Sequence, residues 1–169
     1  MAVFLVQHGE SFPEEVDPAR HLTPEGERTV EKMAVWAQRV GLEVQRIVHS
    51  GKERARQTAE ILAAALLPPG GVMQEPGLGP RDDPTPWPEW LARQDGTMIV
   101  GHLPFLARLA GLMLGGAPDR AILHFVHAGI VCLDRQADNS GWVLSWAVWP
   151  SLLPEDPGEV RMREALPNG

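Results

Sequence analysis

The chain has 169 residues, 44% of them apolar and 22% charged, with a formal net charge of −7 and one cysteine. That length suits a single soluble domain, which at about 150 residues buries roughly 70% of the surface its unfolded chain exposes. The acidity argues against a general nucleic-acid binder or a polybasic membrane binder, and Cys132 alone can form no intrachain disulfide, which fits a reducing compartment.

Ala2 to Val6 is a short apolar run that reads as a buried strand, closed by Gln7-His8-Gly9. It is too short for a signal-peptide core and has no basic leader, so a cytoplasmic protein is expected. The polar, proline-bearing SFPEEVDPAR is a loop. Thr23-Pro24 then opens a helix, with Thr23 as N-cap and Pro24 where a missing N–H costs nothing. Val30, Met33, Ala34 and Ala37 repeat at helical spacing, and Gly41 is the expected stop.

Val44 to Val48 reads as a second strand, running into His49-Ser50-Gly51, and Lys52 to Leu67 as a second helix. A short strand is expected at Val72-Gln74, followed by the proline-rich loop GLGPRDDPTPWPEW and a short helix near Trp87-Arg93. Thr97 to Gly101 is a fourth strand, largely apolar and ending in His102. Leu103 to Leu114 is a helix, interrupted by Arg108 and too short to span a bilayer. Ile130-Leu133 and Trp142-Trp149 read as an antiparallel hairpin, with Trp142 and Trp146 expected on one strand face. One domain is expected over residues 1–150, with an irregular tail over 151–169.

This alternation predicts an α/β fold, a sandwich built on a mostly parallel central sheet with an antiparallel edge. Ligands bind such sheets at the carboxyl ends of the strands. Here those ends carry His8, His49-Ser50 and His102, and Arg54 sits four residues beyond Ser50 at the start of a helix. Two imidazoles and a guanidinium in one cleft suit a phosphoryl group: arginine matches its oxygens, a neutral imidazole can attack phosphorus, and a second can bind or protonate an oxygen. Gly9 lets the backbone turn closely behind the His8 ring, so that a carbonyl can hold one ring nitrogen and leave the other free.

The strand followed by QHGE, then LTPEGE, SGKERARQTAE and IVGHLP, in this order from about Val3 to Leu133, resembles the histidine phosphatase superfamily, also called phosphoglycerate-mutase-like. The compact length and the short segment from Gly9 to Leu22 look most like the SixA-type phosphohistidine phosphatases of that family. The resemblance implies a three-layer α/β/α sandwich and a metal-independent phosphatase without a cofactor. Its substrate would be a phosphorylated protein or a small phosphorylated molecule. It also implies that His8 is the nucleophile that becomes phosphorylated, while Arg54 and His102 hold the phosphoryl oxygens.

One position departs from the family pattern. Gln7 stands where the family carries an arginine that contacts the phosphate. Glutamine keeps an amide donor but loses the charge. Three explanations stay open: Arg20, Arg81 or His127 replaces the charge in a slower enzyme, the chain binds a phospho-ligand without turnover, or Gln7 is an engineered or accidental change. The expected contacts to substrate are therefore Gln7, Gly9, Ser50 and His127 beside the catalytic set, with Ser50 also a candidate cap for the second helix. The loop after the third strand offers Asp82, Asp83 and Glu89 as acids, none in a clear family position. A phosphohistidine substrate needs such an acid least, because its imidazole leaves readily. Trp87 and Trp90 are either core or the rim of a substrate mouth.

Overall fold

The computed structural model describes residues 1–138 and 140–155. Six strands form one sheet: β1 (Ala2–Gln7), β2 (Arg46–His49), β3 (Val72–Gln74), β4 (Thr97–Gly101), β5 (Ile130–Arg135) and β6 (Trp142–Val148), in the order β3-β2-β4-β1-β5-β6. The first four run parallel, β5 runs antiparallel to β1, and β6 antiparallel to β5. The predicted mixed sheet is therefore what the chain builds.

Side chains on β1 alternate between two cores. Phe4 and Val6 face a layer formed by α1 (Pro24–Arg39) and α2 (Glu53–Leu66). Val3 and Leu5 face a layer formed by α3 (Trp87–Leu91) and α4 (Phe105–Gly115). Both faces of the central strands are buried, which is why they read as unbroken apolar runs. α1 begins where expected: the Thr23 side chain accepts from the Gly26 N–H at 3.0 Å, and Pro24 takes the first helical position. Val30, Met33, Ala34 and Ala37 are its buried stripe.

One expectation is corrected and one alternative is decided. The register of β5 against β6 shifts between Cys132 and Leu133, which pair with Trp146 and Leu144. Ser145 is the extra residue of a bulge. It turns Trp142 toward the α3–α4 core and Trp146 toward the α1–α2 core, so the two rings lie on opposite faces. Trp87, one candidate for the substrate mouth, is buried against Phe105 and donates its indole N–H to the Gly77 carbonyl at 3.1 Å. At the end of the described chain, Pro150–Leu152 make a 3-10 turn and Leu153 packs on the α1–α2 core. The irregular tail expected over 151–169 lies, from residue 156 on, outside the described residues. Among the described residues no helix is long and apolar enough to cross a membrane.

Candidate active site

The sheet order decides where the polar strand ends go. β4 lies between β1 and β2, with Gln7 opposite Gly101 and His49 opposite Val100. The residues that follow, His8, His102 and Ser50, therefore emerge at one edge of the sheet. An isolated bridge between Gln7 and His127 adds the segment entering β5. Four segments far apart in the chain converge there.

His8 is held from two sides. Its Nδ1 lies 2.7 Å from the Gly9 carbonyl oxygen, so Nδ1 carries the proton and Nε2 keeps its lone pair. Arg54 Nε donates to that Nε2 at 3.1 Å. Gly9 is required at this point: a β-carbon would stand 2.7 Å from Val30 Cγ2 and 3.1 Å from the Gly26 carbonyl oxygen. Its N–H donates to Thr58 Oγ1 at 3.0 Å, and Thr58 passes its own proton to the Arg54 carbonyl at 2.7 Å. One buried hydroxyl thus ties the loop behind His8 to the helical turn that carries Arg54. Sequence reasoning missed Thr58; its signal was a hydroxyl four residues after Arg54 on the buried face of a helix.

His102 is 1% exposed, and its ring centroid lies 5.0 Å from that of His8. Ser50 Oγ sits 2.6 Å from His102 Nε2 and accepts from the Lys52 backbone N–H at 3.3 Å. A hydroxyl has two acceptor lone pairs, so Ser50 either donates to Nε2 or accepts from it, and Nδ1 of the neutral ring is a donor or an acceptor accordingly. That atom is buried and has no partner. Ser50 does not cap α2, whose N-cap is Lys52. It orients an imidazole instead.

His127 Nδ1 lies 2.9 Å from the His8 carbonyl oxygen, which identifies it as a donor. Gln7 Nε2 faces the same Nδ1 at 3.3 Å, while Gln7 Oε1 is buried without a partner. Two donors facing one another are unfavourable. Turning the amide over puts Oε1 on the His127 proton and leaves Nε2 as a buried donor beside the His8 backbone. The His127 ring centroid is 5.3 Å from that of His8, and the residue is solvent-exposed.

Burial sets the charge state. It lowers the His8 pKa to about 4, opposed by the bond to the Gly9 carbonyl and assisted by Arg54. It lowers that of His102 to about 3, assisted by His8 and Arg54. Both imidazoles are neutral near pH 7. Burial and the charge of Arg20 also lower Arg54 from its usual value, but an arginine stays protonated throughout the physiological range. Arg20 bears on His8 and His102 as well. It and Arg81 line a cleft of about 750 Å³ that Arg54 also lines, so all three candidates for the missing charge lie at the cleft or beside His8. The carboxylates weighed as acids are occupied: Asp82 accepts from the Gly79 N–H, Asp83 from Thr85, and Glu89 from Arg93. Among the described residues no three His, Cys, Asp or Glu side chains converge to hold a metal ion. Cys132 is a buried core residue whose thiol burial pushes up to about 12.

The sequence and the fold that carry this pocket have known counterparts. The family model of the histidine phosphatase superfamily (branch 1) matches residues 3–79. An uncharacterized protein of Picosynechococcus sp. is 33% identical over 171 residues, covering 91% of this chain and all of that one. The chain belongs to the histidine phosphatase superfamily. Its fold is similar to that of the protein histidine phosphatase SixA complexed with tungstate, with TM-score 0.78 and 24% identity over 91% of this chain and 100% of that one. It is also similar to a proposed phosphohistidine phosphatase SixA from Agrobacterium tumefaciens, with TM-score 0.70 and 22% identity over 88% of this chain and 97% of the other.

Proposed function

We propose that the chain is a metal-independent phosphatase that works through a phosphohistidine formed on His8 and that its substrate is phosphohistidine on a protein. The observation that carries this is the His8 ring itself: Nδ1 is pinned by its neighbour's carbonyl and Nε2 meets Arg54. In the first step Nε2 attacks phosphorus, the bond from phosphorus to the leaving nitrogen breaks, and that nitrogen keeps the electron pair and takes a proton from water. In the second step water attacks the phosphoryl group, the bond to Nε2 breaks, and inorganic phosphate leaves. Charge spreads over the equatorial oxygens in each step, and positioned donors supply most of the stabilisation. Arg54 is the charged donor, His102 and the Gln7 amide flank it, Ser50 orients His102, Gly9 holds His8, and His127 orients the Gln7 amide and faces the substrate.

Two features support phosphohistidine as the substrate. The carboxylates of residues 82–89 are all engaged, so that loop holds no ready acid for an alkoxide leaving group. The fold also resembles structures of SixA. Gln7 favours one second possibility, a phospho-ligand binder without turnover. An ionic hydrogen bond contributes about 1.5–3 kcal/mol against about 1 for a neutral one, so exchanging arginine for glutamine slows the chemistry about two- to thirtyfold.

Phosphate release from a phosphohistidine protein and from an aryl phosphate tests both. Release is expected from the unmodified chain, abolition in His8→Ala, and a gain of about two- to thirtyfold in Gln7→Arg. No release above the His8→Ala background would leave the binder.

A further inference from the structure

The cleft beside the reaction centre is larger and more cationic than a phosphoryl group requires. Its volume of about 750 Å³ falls within the range of roughly 300–1,000 Å³ that holds a small organic ligand. Arg20, Lys52, Arg54 and Arg81 line it against two carboxylates, Glu14 and Asp82, on a chain whose net charge is −7. Asp82 accepts from the Gly79 N–H at 2.7 Å.

The pairing of cations makes the contrast sharper. The helix-surface residues Arg28, Arg56 and Arg93 each bind a carboxylate three or four residues away. Among the described residues none of the four cleft cations forms an ion pair. Arg54 is committed to His8 Nε2, and Arg20 is anchored to the Phe12 carbonyl and Ser11 Oγ. Lys52 and Arg81 keep all their side-chain donors. Lys52 bears on His102 electrostatically, and Arg81 lines the same cleft.

We propose that the cleft takes a second anionic group of the substrate, a carboxylate or phosphate next to the scissile phosphoryl group, with Lys52 and Arg81 as its partners. This rests on the phosphoryl group lying among His8, Arg54 and His102. Pro80, Leu103 and Pro104 supply an apolar wall for the atoms that join the two anions. The second group is either an acidic side chain flanking a phosphohistidine or part of a small phosphate ester.

Calorimetric titration of the full chain with ethyl phosphate and with phosphoglycolate, which adds one carboxylate, tests this without turnover. Phosphoglycolate is expected to bind about tenfold more tightly. Arg81→Ala should remove most of that difference and change ethyl phosphate affinity less than about twofold. Competition by phosphohistidine peptides with aspartate or alanine neighbours separates the sources. An acidic preference that reverses to a lysine preference in Arg81→Glu supports a polypeptide, and indifferent peptides beside tight phosphoglycolate support a small ester. Equal affinity for the two ligands, or equal loss of both in Arg81→Ala, overturns the second-anion subsite and leaves the phosphoryl site standing. Ethyl phosphate binding unchanged by Arg54→Ala would overturn the phosphoryl site, and the subsite with it.

Discussion

Thr58 shows how much of the site depends on a residue that never faces the cleft. Its hydroxyl satisfies the Gly9 N–H and the Arg54 carbonyl at once, in a fully buried position. Thr58→Val keeps the shape and removes both bonds. Leaving a buried donor unpaired costs about 1–3 kcal/mol, so the urea midpoint should fall by that equivalent and turnover should fall with it. Thr58→Ser retains the hydroxyl and should recover most of the turnover, which a loss of packing alone would not allow. At this scale the sequence was legible where chemistry is marked by residue type: His8, Arg54 and His102 meet as the strand ends foretold. It was illegible where one group serves two partners. Ser50 looked like a helix cap and is the partner of His102, because what fixes it is a strand 52 residues away.

At the scale of elements, the loop from Gly9 to Leu22 is clamped onto the start of α1. The Thr23 N–H donates to the Glu10 carbonyl at 3.0 Å, and a β-carbon on Gly26 would stand 2.1 Å from the same oxygen. Backbone lies against backbone there, and no side chain can swing away. Gly26→Ala should cost about 3 kcal/mol or more, at the upper end of overpacking effects, and should lower the thermal midpoint by several degrees in calorimetry. Helix starts and apolar stripes were readable because local rules govern them, as Thr23-Pro24 and the Val30–Ala37 spacing show. The bulge at Ser145 was not. No glycine or turn residue marks it, and it follows from fitting β6 to β5 while Trp146 packs on Phe4 and Trp36. Strand order likewise has no local signature, since nothing in residues 97–101 says that they insert between β1 and β2.

For the whole molecule, two buried neutral histidines link stability to pH. His8 and His102 titrate at about 4 and about 3 in the folded protein, against about 6.5 in an unfolded chain. Below about pH 6.5 the unfolded chain takes up protons that the folded one refuses, so stability is full above that pH and falls as the pH drops toward 4. Between pH 7 and pH 5 the loss is on the order of 2 kcal/mol for each histidine, read as a falling urea midpoint. Replacing both by glutamine should remove most of that dependence over the same interval, the remainder belonging to His49, whose pKa burial also lowers.

The interposition of β4 has one last consequence. Because His8, Arg54, His102 and His127 come from stretches separated by some 120 positions, no portion of the polypeptide can assemble the pocket early. Under the proposed function, affinity for an oxyanion arises only with the completed sheet, and by mass action any such solute draws the population toward the native form. Ligand occupancy and structural integrity are then two readouts of one cooperative transition.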